Sequence, residues 1–240
     1  MVISVKAFFH EKPPKERRKN ELMSSLPVPK AVAKMAIPSV NSSLVTVVYN
    51  MADTFFVGQT GDPLQVAAVS LTNPIFILFM AFANMFGMDG SAAASMAMGG
   101  KNEKRMKQAS AFATYASLIV GVALAVILMV FMMPVLNMFR ANEQTFLYAK
   151  GYTFHIAYGA PFIIWSAAAS FVVRAEGASK EAMIGSMIGT VANIVSDPVL
   201  ISGMGMGAAG AAVATTIGNI LASIYYLWYF LKKSKYFSIS

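Results

Sequence analysis

The sequence predicts an all-α integral membrane protein built as a bundle of six transmembrane helices. Three observations predict it. Apolar residues make up 57% of the 240-residue chain, above the roughly 45–50% of soluble domains. Charged residues make up only 12%, about half the usual ~25%, and the mean hydropathy is +0.59. The apolar residues also fall into six stretches long enough to cross ~30 Å of hydrocarbon, which takes roughly 20 residues of helix.

Taken in order, the spans are expected at 35–57, 66–88 (running on to about residue 98), 109–133, 148–173, 182–202 and 208–231. Residues 1–34 precede them as a polar, basic segment without the apolar core of a cleaved signal peptide, and read as a cytoplasmic tail. Residues 232–240 read as a short cytoplasmic tail at the other end. Lys and Arg set the orientation. With a cytoplasmic N-terminus, the inner side holds eight of them before the first span, four after the second, two after the fourth and three after the sixth. Only Arg140 and Lys150 fall outside. Both termini are therefore expected in the cytoplasm of a multi-pass plasma-membrane protein. The net charge of +8 is a topology signal facing anionic lipid headgroups, and nucleic acid is not an expected partner.

The polar residues inside the spans share one depth. In the first span Ser39, Ser43, Thr46, Asn50 and Asp53 recur at steps of three and four, one stripe of a helix. Such a stripe faces a bundle interior or a wet cavity rather than lipid. Asp53 lies four residues from the outer end of its span and Asp197 five from the outer end of the fifth. Asn193 lies one turn deeper on the same face as Asp197. Thr215 is seven residues into the sixth span and Tyr152 four into the fourth. Four spans thus bring oxygen-bearing groups to roughly 6–13 Å below the outer surface. A single Asn or Thr can be interhelical glue, and Tyr152 alone can belong to an interfacial belt. An aspartate at the helix centre costs upwards of about 2.5 kcal/mol, and two carboxylates close together cannot both ionise freely. The pair points to function.

Prolines fit this reading. Pro198 follows Asp197, and its missing N–H frees the carbonyl of Ile194. Pro38, Pro74 and Pro161 interrupt other spans. Transporters use broken helices of this kind at their sites. Other features carry less. Gly205-Met206-Gly207-Ala208-Ala209-Gly210 matches G-x-G-x-x-G but lacks a βαβ context and a following acid, which excludes a dinucleotide site. Gly185 and Gly189 form a GxxxG expected to pack inside the bundle. Asp89 reads as a gate or as a solvated helix end, and His155 as a satisfied buried imidazole. The chain has no cysteine and two distant histidines, which leaves no thiolate chemistry and little basis for a zinc site.

Three separated motifs resemble the multidrug and toxic compound extrusion (MATE) transporters. The first span reads AIPSVNSSLVTVVYNMADTFFVGQTGD, the fifth VANIVSDPVLI, and the entry to the sixth GMGMGAAGAAVATTIGN. The resemblance covers about residues 30–235 and implies one six-helix lobe, the N-terminal one, of a two-lobe transporter. It implies an antiporter that exports organic cations in exchange for Na⁺ or H⁺, with no cofactor and no enzymatic activity. It implies a cation site, for Na⁺ or a proton, of Asp53, Asn193, Asp197 and Thr215, with Tyr152 beside it. Asn50 and Thr46 would line the cavity, and Pro38 and Pro198 would let their helices bend. Two features depart from the family pattern: the chain has six spans where the family has about twelve, and Asp89 stands in a small, Gly-rich stretch of the second helix. The missing partner is then a C-terminal lobe or a second copy. The alternatives are an inactive, pairing-dependent half and a flippase for lipid-linked substrates.

Overall fold

The computed structural model describes residues 36, 37, 40, 41, 44, 47, 51–100, 102–139 and 143–234. All described positions up to 58 are helical, and residues 51–58 form the readable end of α1. Then follow α2 (Pro63–Gly99), α3 (Glu103–Val130), the short α4 (Met132–Met138), α5 (Glu143–Ala175), α6 (Ser179–Asp197), a π-helical turn (Pro198–Gly203) and α7 (Ala208–Lys232). No strand occurs among the described residues. Five helical stretches, α2, α3, α5, α6 with its π turn, and α7, are long and apolar enough to cross a membrane. Ten positions of the first expected span, including Pro38, Thr46 and Asn50, lie outside the described residues, as does the segment 1–34.

The helices outrun the apolar stretches because they begin where a cap is available rather than where hydrocarbon begins. Asp62 caps α2, its carboxylate accepting from Leu64 N at 2.9 Å with Pro63 in the first helical position. Asn102 caps α3, accepting from Arg105 N at 3.0 Å. Both satisfy backbone donors that a helix start leaves free. At 37 residues, α2 is about 55 Å long, well beyond the hydrocarbon thickness. The third apolar stretch is broken: Pro134 cannot donate to Val130 O, the helix ends at Val130, and α4 resumes after Phe131.

The bundle is organised around α5, which contacts α2, α3, α4, α6 and α7 and buries residues on every side, from Tyr152 through Ile164 to Val173. A helix apolar all round belongs in the middle. Small residues set the spacing. A Cβ on Gly121 of α3 would lie 2.7 Å from Pro161 Cα of α5, and one on Gly218 of α7 would overlap the Gly189 carbonyl of α6. Without a hydrophobic drive between helices in lipid, such close backbone approach supplies the packing. Gly185, the other half of the expected GxxxG, seats the ring of Tyr226 on the same α6–α7 seam.

The rejected G-x-G-x-x-G stretch has a structural explanation. Gly205 and Gly207 take positive φ values of 66° and 55°, which turn the chain back into α7. A Cβ on Gly207 would run into the Gln65 side chain. Gln65 instead places its Oε1 at 2.8 Å from Ala208 N, so a side chain of α2 caps α7. Gly210 completes the turn by letting α7 meet the Leu200–Ile201 backbone of the π segment.

Candidate cation site and adjoining cavity

Asp197 closes α6 and Pro198 opens the π turn. Without an N–H at Pro198 the regular ladder cannot continue, and the chain widens: Met204 N donates to Val199 O at 2.8 Å and Met206 N to Leu200 O at 3.1 Å. Widened turns of this kind concentrate at functional sites. Asp197 is fully buried, at 0% exposure. Neither of its carboxylate oxygens has a hydrogen-bond partner among the described residues.

Asn193, one turn back on α6, is 2% exposed, and its Nδ2 donates to Thr215 Oγ1 of α7 at 3.4 Å. Its Oδ1 is buried and, among the described residues, without a partner. Asp53 comes from the end of α1, is half-buried, and has a buried Oδ1 in the same state. Its charge acts on Asp197. Tyr152 is buried in the cluster that joins Val57 of α1, Ile201 of the π turn and Ala208 of α7. The structure therefore brings Asn193 and Thr215 into contact, stacks Asp197 above Asn193, and sets Asp53 within electrostatic reach of Asp197. Asn50 and Thr46 lie outside the described residues.

The chemistry of this set is that of buried oxygens with unmet hydrogen-bonding demand. Burying an unpartnered carbonyl or carboxylate oxygen costs about 1–3 kcal/mol, more when charged. Four such oxygens on three residues, Asp53, Asn193 and Asp197, suit a hard monovalent cation or a proton, each of which prefers oxygen donors and cancels carboxylate charge.

Sequence reasoning missed the cavity that adjoins this set. It occupies about 430 Å³ between α2, α5, α6 and α7, and its walls include Asn193, Thr215, Asn219, Ser166, Tyr226 and Arg174. Ser166 Oγ donates to Asn219 Oδ1 at 2.8 Å, and Asn219 Nδ2 donates to Thr215 O at 2.8 Å. The signal was present, since Asn219 lies one helical turn beyond Thr215 and on its face. Two further side chains place carboxylates at the end of the bundle that carries Arg174, Lys180 and Lys232. Tyr229 donates to Glu176 at 3.1 Å and Tyr225 to Glu181 at 2.5 Å. Glu176 also accepts from Ser234 Oγ at 2.7 Å, and Lys233 pairs with Glu181 at 3.0 Å. Asp89 is exposed on α2. His155 takes its Nδ1 to Gly151 O at 2.7 Å within α5.

The family model described as MatE matches residues 38–199. The chain belongs to the MATE family. Among curated relatives, the multidrug export protein MepA of Staphylococcus saprophyticus is 32% identical over 211 residues, covering 88% of this chain and 47% of the relative. MepA of Staphylococcus aureus is 29% identical over 214 residues, covering 89% and 48%. A solved structure of a MOP superfamily transporter from Pyrococcus furiosus superposes with TM-score 0.86 at 27% identity, over 96% of this chain and 50% of that one. A MATE crystal structure in complex with MaD3S superposes with TM-score 0.83 at 27% identity, over 88% and 48%. The chain spans about half the length of the MATE relatives it matches. Its fold is an all-α membrane lobe of that family.

Proposed function

We propose that the chain is one lobe of a cation-coupled antiporter that exports organic cations, and that it works together with a second lobe or a second copy. The observation that carries this reading is the group of buried oxygens on Asp53, Asn193 and Asp197 that have no partner among the described residues. A Na⁺ ion or a proton entering from the face opposite the basic end cancels one of the two negative charges that Asp53 and Asp197 would carry, with Asn193, Thr215 and Tyr152 around it. Cancelling one charge of the pair relieves their like-charge repulsion and lets α1 repack, with Pro38 as its bending point and Pro198 relieving α6. The altered cavity then releases the bound drug outward. This is a two-state element biased by charge. With Lys and Arg gathered at one end of the bundle, both termini lie in the cytoplasm. The half-length coverage of the relatives supports dependence on a partner lobe, because substrate in a two-lobe transporter sits between the lobes.

The test is cation-driven dye efflux from cells or liposomes carrying this lobe joined to a second one. Asp53→Asn and Asp197→Asn should each abolish the cation-driven part while leaving the protein in the membrane. Undiminished efflux in both variants refutes the proposal. Full transport by the 240-residue chain reconstituted alone would remove the need for a partner lobe.

A further inference from the structure

The cavity beside the acid pair is lined by three polar rows that all run toward the basic end. On α6 the row is Ser186, Thr190, Asn193 and Asp197, at steps of four, three and four. On α7, Thr215, Asn219 and Tyr226 fall on one face at steps of four and seven. On α5, Ser166, Ser170 and Arg174 follow at steps of four. Residues so spaced share a helix face, and the row from Ser186 to Asp197 covers about 16 Å of helix. All but Asp197 line the one cavity of about 430 Å³. A single water needs only ~10–15 Å³ of such space and two to four polar partners.

One lining residue toward the basic end is a tyrosine. Tyr226 is 1% exposed, and its hydroxyl donates to Ala182 O at 2.8 Å and sits 3.1 Å from Ser186 Oγ. Ser170 and Arg174 line the same cavity as its ring. Its ring lies over Gly185, where a Cβ would overlap it. At the other end of the cavity, Asn193 presents a buried Oδ1 without a partner among the described residues.

We infer that this cavity is a hydrated vestibule connecting the cation site to the basic face through the interior of the lobe, with Tyr226 as its gate. The inference rests on the cation-site reading above and adds a route of access to it. Water and a small cation pass from Arg174 along the hydroxyls and amides of α5, α6 and α7 to Asn193. Swinging Tyr226 away from Ala182 opens that passage; returning it closes the passage while the opposite face is exposed.

The chain contains no cysteine, so single cysteines report access without background. Ser170→Cys, Thr190→Cys and the outward-facing control Val191→Cys, whose parent residue is 55% exposed on the bundle surface, are placed one at a time in the full chain in sealed vesicles of verified orientation. Each face is treated with a cationic, membrane-impermeant methanethiosulfonate. The vestibule predicts modification of Ser170→Cys and Thr190→Cys from the basic face and of Val191→Cys from neither. Adding Tyr226→Phe should raise the Thr190→Cys rate about fivefold, the factor by which losing one net hydrogen bond shifts an opening equilibrium. Gly185→Ala, which presses on the same ring, should shift that rate in the same direction and serves if Tyr226→Phe does not fold. Modification from the opposite face alone, or protection of both cysteines from both faces, overturns the vestibule. A rate unchanged by either gate variant overturns the gate. Thermal stabilisation by Na⁺ or protons, lost in Asp197→Asn, reports the cation site separately. Access without that stabilisation keeps the vestibule and refutes the site; stabilisation without access does the reverse.

Discussion

Removing the side chain that caps α7 tests the end of the lobe opposite the basic residues. Gln65→Ala deletes the acceptor that Ala208 N reaches at 2.8 Å. Ala208 is 1% exposed, and Gly207 offers α7 no side-chain cap of its own, so the amide is left buried and unpaired. That penalty is about 1–3 kcal/mol, and for a chain of this size it lowers Tm by roughly 4–8 °C at the centre of the range. Gly207→Ala should cost as much by two routes at once. Its methyl displaces Gln65, and its backbone, at φ 55° and ψ −133°, lies where non-glycine residues store about 1–3 kcal/mol of strain. Because both variants break the same bond, the double variant should be less destabilised than the sum of the singles by about 1 kcal/mol. Thermal unfolding in detergent, followed by far-UV circular dichroism, measures all three. A Gln65→Ala variant within about 0.5 kcal/mol of the parent, or strict additivity in the double variant, refutes the cap.

Three further outcomes are expected. Gly218→Ala forces a methyl into the Gly189 carbonyl on the α6–α7 seam and should cost about 1–3 kcal/mol of stability by overpacking; an unchanged Tm contradicts the seam. Tyr229→Phe takes one donor from the nearly buried Glu176 and should lower stability by about 1 kcal/mol in thermal unfolding, with Tyr225→Phe at the less buried Glu181 costing less; equal losses or none would refute the ranking. Na⁺ or added acid, bound only by the folded lobe, should stabilise the parent by about 2.7 kcal/mol at a hundredfold excess over Kd. Asp197→Asn should lose that response, and a response kept in full would show that the ligand binds elsewhere.

Five of the six expected spans match long apolar helices among the described residues, because helix length and hydropathy are fixed by the bilayer, and an aspartate among apolar residues marks itself. Asp53, Asn193, Asp197 and Thr215 could be gathered from depth alone, since counting residues along a helix measures distance. What stayed hidden depends on pairing between elements. Gln65 and Ala208 meet across 143 positions, and nothing local to either announces it. Helix ends were read short because apolar runs mark the hydrocarbon, whereas Asp62 and Asn102 start their helices in the polar layer. The break at Phe131 followed from Pro134, which was within reach of the same proline logic applied to Pro198. At Pro198 the loss of a donor was foreseen, but the widening into a π turn was not. That outcome also needs Gly210, eleven residues into the segment that follows Val199, to leave room for the Leu200 backbone.

The π turn has a consequence for how this chain tolerates changes in length. A π turn holds an extra residue relative to an α turn, so Pro198–Gly203 is a built-in insertion directly after the residue that most needs fixed placement. Deleting one residue from it would let the segment relax to α geometry, with most of the change absorbed inside the turn. The Leu200 backbone would lose its close seat on Gly210, while Asp197, lying before the change, would stay where it is. The slack in the chain sits on one side of the aspartate only, so the loop that follows can lengthen, shorten or swing without dragging the carboxylate off its register.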